Sequence, residues 1–170
     1  TVTLNITTDI KSYNVCVEAY DLQTKMYEFE NCNFSAWYEN QFKFVMPEKD
    51  LSLEVYIFEA EYGDAVIPRA DTLRVDIPKG MASVQVYNDY SREDYFYYNN
   101  NDGVLVLTAP EGYKLMITDG EVDLSDEGDS LIIYDGDGID AERELVKVSI
   151  GGEIDELRST GRTLTFKFKS

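Results

Sequence analysis

Carboxylates are the most concentrated chemical groups in this sequence, because residues 119–144 hold eleven acidic residues and a single base, Arg143. Histidine is absent from the chain, which removes nucleophile–histidine pairs and most zinc or iron sites. Catalysis would therefore depend on carboxylates, tyrosine or lysine. Clustered carboxylates raise one another's pKa unless a cation neutralises them or water screens them. The segment is either a site for a hard, oxygen-ligated ion such as Ca²⁺ or a solvated acidic edge.

Within this segment, "SLIIYDGDG" (130–138) places an apolar run directly before alternating aspartates and glycines. The run predicts a central strand that is covered on both faces, and the Asp-Gly step that follows predicts a tight turn with a positive backbone angle. Asp135 and Asp137 also have the spacing of the first ligands in an EF-hand loop. However, Ile139 occupies the next ligand position and no flanking helices are predicted, so the turn is the favoured interpretation.

The two cysteines have the surroundings of a cross-strand pair. Cys16 alternates with two valines, and Cys32 lies between two asparagines, so both fall on the more polar face of predicted strands. This pattern predicts a disulfide between Cys16 and Cys32, with two unpaired small side chains as the alternative.

Alternation of apolar and polar residues recurs along the chain, and no segment shows a sustained helical period. The pattern predicts an all-β protein made of two β-sandwich domains in tandem. Pro78 and Gly80 mark the break, which gives domains at residues 1–80 and 81–170. The predicted strands cover residues 2–6, 13–20, 41–46, 51–58, 73–77, 83–87, 104–108, 113–117, 130–134, 145–150 and 163–168.

The first half carries the stretch "FKFVMPEKDLSLEV" (42–55), in which Pro47 separates two strand-like runs. This stretch resembles a hairpin that recurs in small immunoglobulin-like or repeat-type β domains of bacterial surface proteins. The resemblance implies a spacer or stalk module. The alternative is any hairpin in which Pro47 turns the chain because it cannot donate to a ladder.

The second half contains four stretches in a characteristic order: "VYNDYSREDYFYYNN" (86–100), "VLVLTAPEGYKLMI" (104–117), "GDSLIIYDG" (128–136) and "STGRTLTFKFKS" (159–170). Together they resemble a CUB domain, in the cysteine-free form found in secreted bacterial multidomain proteins. The resemblance implies a jelly-roll sandwich, an extracellular or cell-surface location and a binding role without catalysis.

Many CUB domains hold calcium, and the resemblance implies where the ligands would lie here. Asp129 matches the signature aspartate, and Asp123 is the nearest counterpart of the first acid, with Glu121 as its rival. The sequence departs from the family pattern at two points: Gly128 replaces a tyrosine, and residues 159–162 offer no aspartate.

Aromatic residues crowd the start of the second half. Alternation would place them on two faces of a strand, so that one set packs in the core and the other could form a contact surface for protein or sugar. The residues are Tyr87, Tyr90, Tyr95, Phe96, Tyr97 and Tyr98.

The formal charge of −18 disfavours nucleic acid and anionic lipid as partners. No run approaches the roughly 18 apolar residues of a membrane span, so we expect no membrane insertion. The start of the sequence lacks an initiator methionine and a signal-peptide pattern, and we expect it to be part of a longer polypeptide.

Three functions compete on these features. The leading expectation is a non-catalytic extracellular interaction module of a larger secreted or surface protein, which binds protein or glycan. The second is a carbohydrate-binding accessory domain of a secreted enzyme, in which exposed tyrosines or Trp37 stack on sugar rings. The third is a carboxylate-based glycoside hydrolase, which would need two acids roughly 5 to 9.5 Å apart in a cleft. We expect no enzymatic activity, because no signature of such a site is present.

Overall fold

The computed structural model describes residues 1–88, 97–124 and 126–170. The chain is all-β, as predicted. Helical structure among the described residues is limited to α1 (Ala36–Glu39) and one 3-10 turn (Ala141–Arg143). The strands are β1 (Val2–Asn5), β2 (Tyr13–Asp21), β3 (Tyr27–Asn33), β4 (Gln41–Phe44), β5 (Leu51–Glu59), β6 (Tyr62–Val66), β7 (Thr72–Asp76), β8 (Ser83–Tyr87), β9 (Asp102–Thr108), β10 (Met116–Ile117), β11 (Gly120–Val122), β12 (Ser130–Asp135), β13 (Glu144–Val148), β14 (Gly152–Ile154), β15 (Leu157–Arg158) and β16 (Thr163–Lys169).

Every strand predicted from alternation coincides with an observed strand, although the prediction at 113–117 shrinks to the two residues of β10. The prediction missed β3, β6, β11, β14 and β15. Three of these are only two or three residues long, which is too short for a period of two to be visible. β3 reads "YEFENCN". Tyr27 and Phe29 alternate with glutamates, but the next position on their face is Asn31, so the apolar alternation is too short to predict a strand.

The chain forms two compact units. The first consists of Thr1–Ala65 and Lys79–Gln85, and the second of Val66–Pro78 and Val86–Ser170. β7 belongs to the second unit, where it pairs with β9. The tandem division into residues 1–80 and 81–170 stays a prediction.

The first unit contains a three-stranded antiparallel sheet in the order β3-β2-β5 and the antiparallel pair β1-β4. β2 determines which face is buried, because Val15, Val17 and Ala19 are fully buried while the residues between them are half-exposed. The two valines pack in one apolar cluster with Phe42 and Phe44 of β4. The opposite face of the sheet therefore carries the polar half of each strand.

The second unit is built on a five-stranded sheet in the order β13-β12-β16-β9-β7. Neighbouring strands are antiparallel, except that β7 runs parallel to β9. β12 has a hydrogen-bonded neighbour on each side, so residues 130–134 do not form an edge strand. The predicted cover on both faces is complete at Ile133 and Tyr134 and partial at Leu131 and Ile132. Residues on β9 and β16 form the buried interior, among them Leu105, Leu107, Leu164, Phe166 and Phe168.

Candidate functional site

The Asp135 carboxylate fixes the loop that precedes β16. It lies at the end of β12 and is buried, with 9% of its surface exposed. One carboxylate oxygen accepts the backbone N–H of Thr160 at 2.9 Å, and the other accepts the Thr160 hydroxyl at 2.6 Å. Gly136 follows with a φ of 101°, the positive angle predicted for it, and its N–H donates to the Thr163 carbonyl at 2.9 Å. Asp135 is thus a structural clamp between two loops.

The two aspartates that follow, Asp137 and Asp140, bind other residues than Thr160. Asp137 forms an ion pair with Arg74 of β7. Asp140 accepts the backbone N–H of Glu142 at 3.0 Å and lies 3.5 Å from Nε of Arg143. The carboxylates with EF-hand-like spacing therefore have separate protein partners and do not converge on one point.

The residues of the predicted calcium site are placed in different environments. Asp129 is buried and accepts the Tyr97 hydroxyl at 2.5 Å. Asp123 and Glu121 are exposed, and Glu121 lies opposite Glu153 in the β11–β14 pair. Among the described residues, no three carboxylates have ligand atoms within 4.8 Å of one another. The structure therefore does not assemble these three acids, and calcium binding stays a prediction.

Cys16 and Cys32 are joined by a disulfide in the structure. They lie directly opposite each other on β2 and β3, with their Cα atoms 4.0 Å apart. Glu30 lies near both sulfurs, and these three residues are the one potential metal-ligand group in the described part of the chain. Because the two sulfurs are bonded to each other, they have no thiolate to offer a metal.

The polar face of the three-stranded sheet combines tyrosines with glutamates. The register places Glu18 of β2 directly opposite Glu30 of β3 and directly opposite Glu54 of β5. The row of three glutamates lies between the disulfide and a pair of tyrosines, Tyr20 and Tyr27, which are also opposite each other. We call this surface the Tyr–Glu face, and define it by Cys16, Glu18, Tyr20, Tyr27, Glu30, Cys32, Glu54 and Tyr56.

Hydroxyl groups on the Tyr–Glu face donate to the glutamates. The Tyr20 hydroxyl donates to Glu18 at 2.5 Å, and the Tyr56 hydroxyl donates to Glu54 at 2.6 Å and lies 3.5 Å from Glu18. The hydrogen bond to Glu18 is the main cause that raises the pKa of Tyr20 to about 12. The hydrogen bond to Glu54 likewise raises the pKa of Tyr56 to about 12. Both hydroxyls therefore remain protonated donors at neutral pH.

A polar pocket of about 380 Å³ opens in the second unit. The turn after β12, the 3-10 turn and the loop before β16 form it. No pattern in the sequence predicts this pocket, although Arg143 is the single base in the acidic segment. The lining residues are Asp135, Gly136, Arg143, Thr160, Gly161, Arg162 and Thr163.

The aromatic predictions have mixed outcomes. Trp37 is 7% exposed and packs edge-on against Tyr38, with ring centroids 4.8 Å apart, so its expected role in stacking on sugars is wrong. Tyr97 is half-buried and packs edge-on against Phe168. Tyr98 is half-exposed, and the guanidinium of Arg69 lies 3.5 Å from its ring centroid. The remaining members of the cluster outside the described residues are Tyr90, Tyr95 and Phe96.

Comparison with protein-family models and with curated proteins gives no match to this chain. Among the described residues, no helix has both the length and the apolar character needed to span a membrane.

Proposed function

We propose that this chain is a non-catalytic interaction module of a larger secreted or surface protein, and that it binds a protein or glycan partner. The observation that carries the proposal is the Tyr–Glu face. It is an exposed sheet surface with three aromatic rings, and its tyrosines Tyr27 and Tyr56 have 56% and 44% of their surface exposed. Tyrosine combines a large apolar ring with a hydrogen-bonding tip, and it is enriched at protein interfaces.

The charge of the face favours a partner with cationic side chains. Like charges directly opposite each other on neighbouring strands are destabilising, and this face carries two such pairs that share Glu18. None of the residues that define the face is basic. A lysine or arginine of a partner would relieve the repulsion and could also lie over a tyrosine ring. The face therefore fits a basic protein segment better than an acidic one.

The proposed location and family follow from the sequence, with one supporting feature from the structure. A disulfide between Cys16 and Cys32 suits an oxidising extracellular compartment. The order of motifs in residues 84–170 supports kinship of the second unit with CUB domains. Both remain proposals, and they agree with a module that displays a contact surface without catalytic groups.

A peptide array that ranges from acidic to basic sequences tests the protein-binding proposal. We expect the chain to capture basic peptides, and we expect Tyr56→Ala and Glu54→Gln each to weaken that binding. Glu48→Gln is the matched control, because Glu48 is an exposed glutamate outside the Tyr–Glu face. Capture that is equal for acidic and basic peptides, or unchanged in both face variants, would contradict the assignment.

A carbohydrate-binding accessory domain of a secreted enzyme is the second candidate. The half-exposed ring of Tyr27 favours it, since aromatic rings on a flat sheet face can stack on sugars. A glycan array distinguishes the two functions. Binding of an uncharged glycan that is lost in Tyr27→Ala would favour the accessory-domain function over the protein-binding one.

A further inference from the structure

The pocket of the second unit has a chemical character that differs from the rest of this acidic chain. Two of its lining residues are arginines, Arg143 and Arg162, and one is an acid, Asp135. The other four are threonines and glycines, so the lining contains no apolar side chain. A ligand for this pocket must therefore offer polar groups, and its charge must suit two guanidinium groups.

Arg143 is held over the turn that follows β12. Its Nε lies 3.5 Å from the Asp140 carboxylate, which fixes one side of the guanidinium. A Cβ atom added at Gly136 would lie 2.9 Å from Nη1 of Arg143. Gly136 thus leaves the space that this guanidinium occupies at the pocket, in addition to supplying the positive φ of the turn.

Arg162 belongs to a loop that is anchored on both sides. Its Nε donates to the Ala109 carbonyl at 2.9 Å, and its own carbonyl accepts the Ala109 N–H at 2.8 Å. The Ser159 hydroxyl donates to the Gly161 carbonyl at 2.7 Å, and Thr160 is bonded to Asp135. A loop fixed by this many hydrogen bonds presents its side chain in one position, which lowers the entropy cost of binding.

The charged groups at the pocket balance one another. Both oxygens of Asp135 accept hydrogen bonds from Thr160, so the carboxylate is committed to holding the loop. The two guanidinium charges are balanced by Asp135 and by Asp140, which pairs with Arg143, so these four groups carry no net negative charge in an otherwise strongly acidic chain. A monoanion is tolerated at such a point, whereas a dianionic phosphate would meet stronger repulsion from a chain of net charge −18.

We propose that this pocket binds the carboxylate of an acidic sugar, with Arg143 and Arg162 as its cationic ligands. Arginine pairs with a planar carboxylate through parallel N–H donors. The Thr160 hydroxyl donates its proton to Asp135, so its oxygen can still accept a hydrogen bond from a hydroxyl group of a sugar ring. The free carboxylate at a peptide C-terminus shares the anion chemistry, but the last side chain of a peptide would find no apolar lining here. The pocket is half open to solvent and has a volume of about 380 Å³.

Glucuronate, glucose and N-acetylglycine are the three probes that test this proposal, in titrations followed by amide NMR at low ionic strength. We expect glucuronate to shift the Gly136 and Gly161 resonances to saturation, while glucose leaves them in place and N-acetylglycine binds more weakly. Arg143→Gln should reduce the glucuronate affinity about tenfold or more, as expected for the loss of one charge-assisted contact. Arg158→Gln is the matched control, since Arg158 is an exposed arginine of β15 paired with Glu156.

A second variant tests the cavity itself. A Cβ atom added at Gly161 meets nothing within 4 Å, so Gly161→Leu should preserve the fold and place an apolar side chain among the lining residues of the pocket. We expect this variant to abolish the glucuronate response. The proposal is overturned if glucuronate gives no saturable shift, if it binds Arg143→Gln and Gly161→Leu as tightly as the parent, or if N-acetylglycine binds equally well. Because the Tyr–Glu face contains none of these residues, such a failure leaves the peptide-array result unaffected.

Discussion

The region around β12 and the Tyr–Glu face use their carboxylates in opposite ways. Around β12, three aspartates each have a donor of their own: Asp135 binds Thr160, Asp137 binds Arg74 and Asp129 binds Tyr97. On the Tyr–Glu face, Glu18 lies in a row with two other glutamates, and within the described parts of the chain only tyrosine hydroxyls donate to that row. The first arrangement stabilises loops. The second costs stability and presents negative charge to solvent, which is the expected pattern for a contact surface.

The largest expected effect comes from the disulfide that borders the glutamate row. The double variant Cys16→Ser, Cys32→Ser releases a cross-link between residues separated by 16 positions. We expect the first unit to lose about 3 kcal/mol of unfolding free energy, since the unfolded chain gains conformational freedom. Trp37 is the only tryptophan and is buried in the first unit, so its fluorescence in urea reports this loss.

The parent chain in reducing buffer serves as the control for that measurement and should match the double variant. A loss well below about 1 kcal/mol would show that the disulfide does not offset the repulsion between neighbouring strands of the face. In that case, the disulfide would not compensate for the like-charge pairs of the Tyr–Glu face.

Asp135→Ala should produce the next largest effect, and it should act on the second unit. The variant removes a buried acceptor of two hydrogen bonds, and we expect a loss of about 2 kcal/mol. Circular dichroism in urea should show the shift, while the Trp37 fluorescence transition stays unchanged. Asp137→Ala is the control, because its exposed pair with Arg74 should contribute less than about 1 kcal/mol. Equal losses in both variants would contradict a clamp at Asp135.

Alkaline pH should destabilise the first unit through tyrosine ionisation on the Tyr–Glu face. The folded-state pKa of Tyr20 and of Tyr56 is raised from 10.0 to about 12 by hydrogen bonds to Glu18 and Glu54. Their contribution to stability is fully present below pH 10 and is lost as the pH rises to about 12. Urea midpoints from Trp37 fluorescence should fall over this window.

The double variant Tyr20→Phe, Tyr56→Phe checks the assignment. We expect a shallower fall between pH 10 and about 12, since two of the groups that bind protons more tightly in the folded state are gone. Burial also raises the pKa of Tyr13 in the same unit, so some of the fall should persist. A slope equal to that of the parent chain would mean that the tyrosine–glutamate hydrogen bonds do not form in solution.

Much of the fold could be predicted from the sequence because alternation encodes which face of a strand is buried. The "SLIIY" run predicts a strand covered on both faces, and in β12 this holds at Ile133 and Tyr134, which are buried on opposite faces, whereas Leu131 and Ile132 are half-buried. Strand pairing carries no such local signal. That β7 joins β9 in parallel depends on the packing of distant segments, and no pattern within either strand specifies it.

The candidate site was harder to predict, since its properties arise from pairings between strands and loops. Alternation placed Cys16 and Cys32 on polar faces, but only the register shows that Glu18 lies opposite Glu30 and Glu54. The carbohydrate-binding alternative expected Trp37 to be able to stack on sugar rings. Trp37 lies in the short helix α1 against the core, a burial that no strand-like period could indicate.

The smallest expected effect is also the most direct test of the glutamate row. Glu18→Gln keeps an oxygen that can accept the Tyr20 hydroxyl and removes the charge shared by both like-charge pairs. We expect the first unit to gain about 0.5 kcal/mol in urea unfolding, whereas Glu48→Gln should leave it unchanged. If Glu18→Gln is more stable than the parent chain but captures basic peptides more weakly, then the charge of Glu18 serves binding and not stability. A loss of stability would instead make Glu18 a structural acid like Asp135, and the contrast between the two regions would disappear.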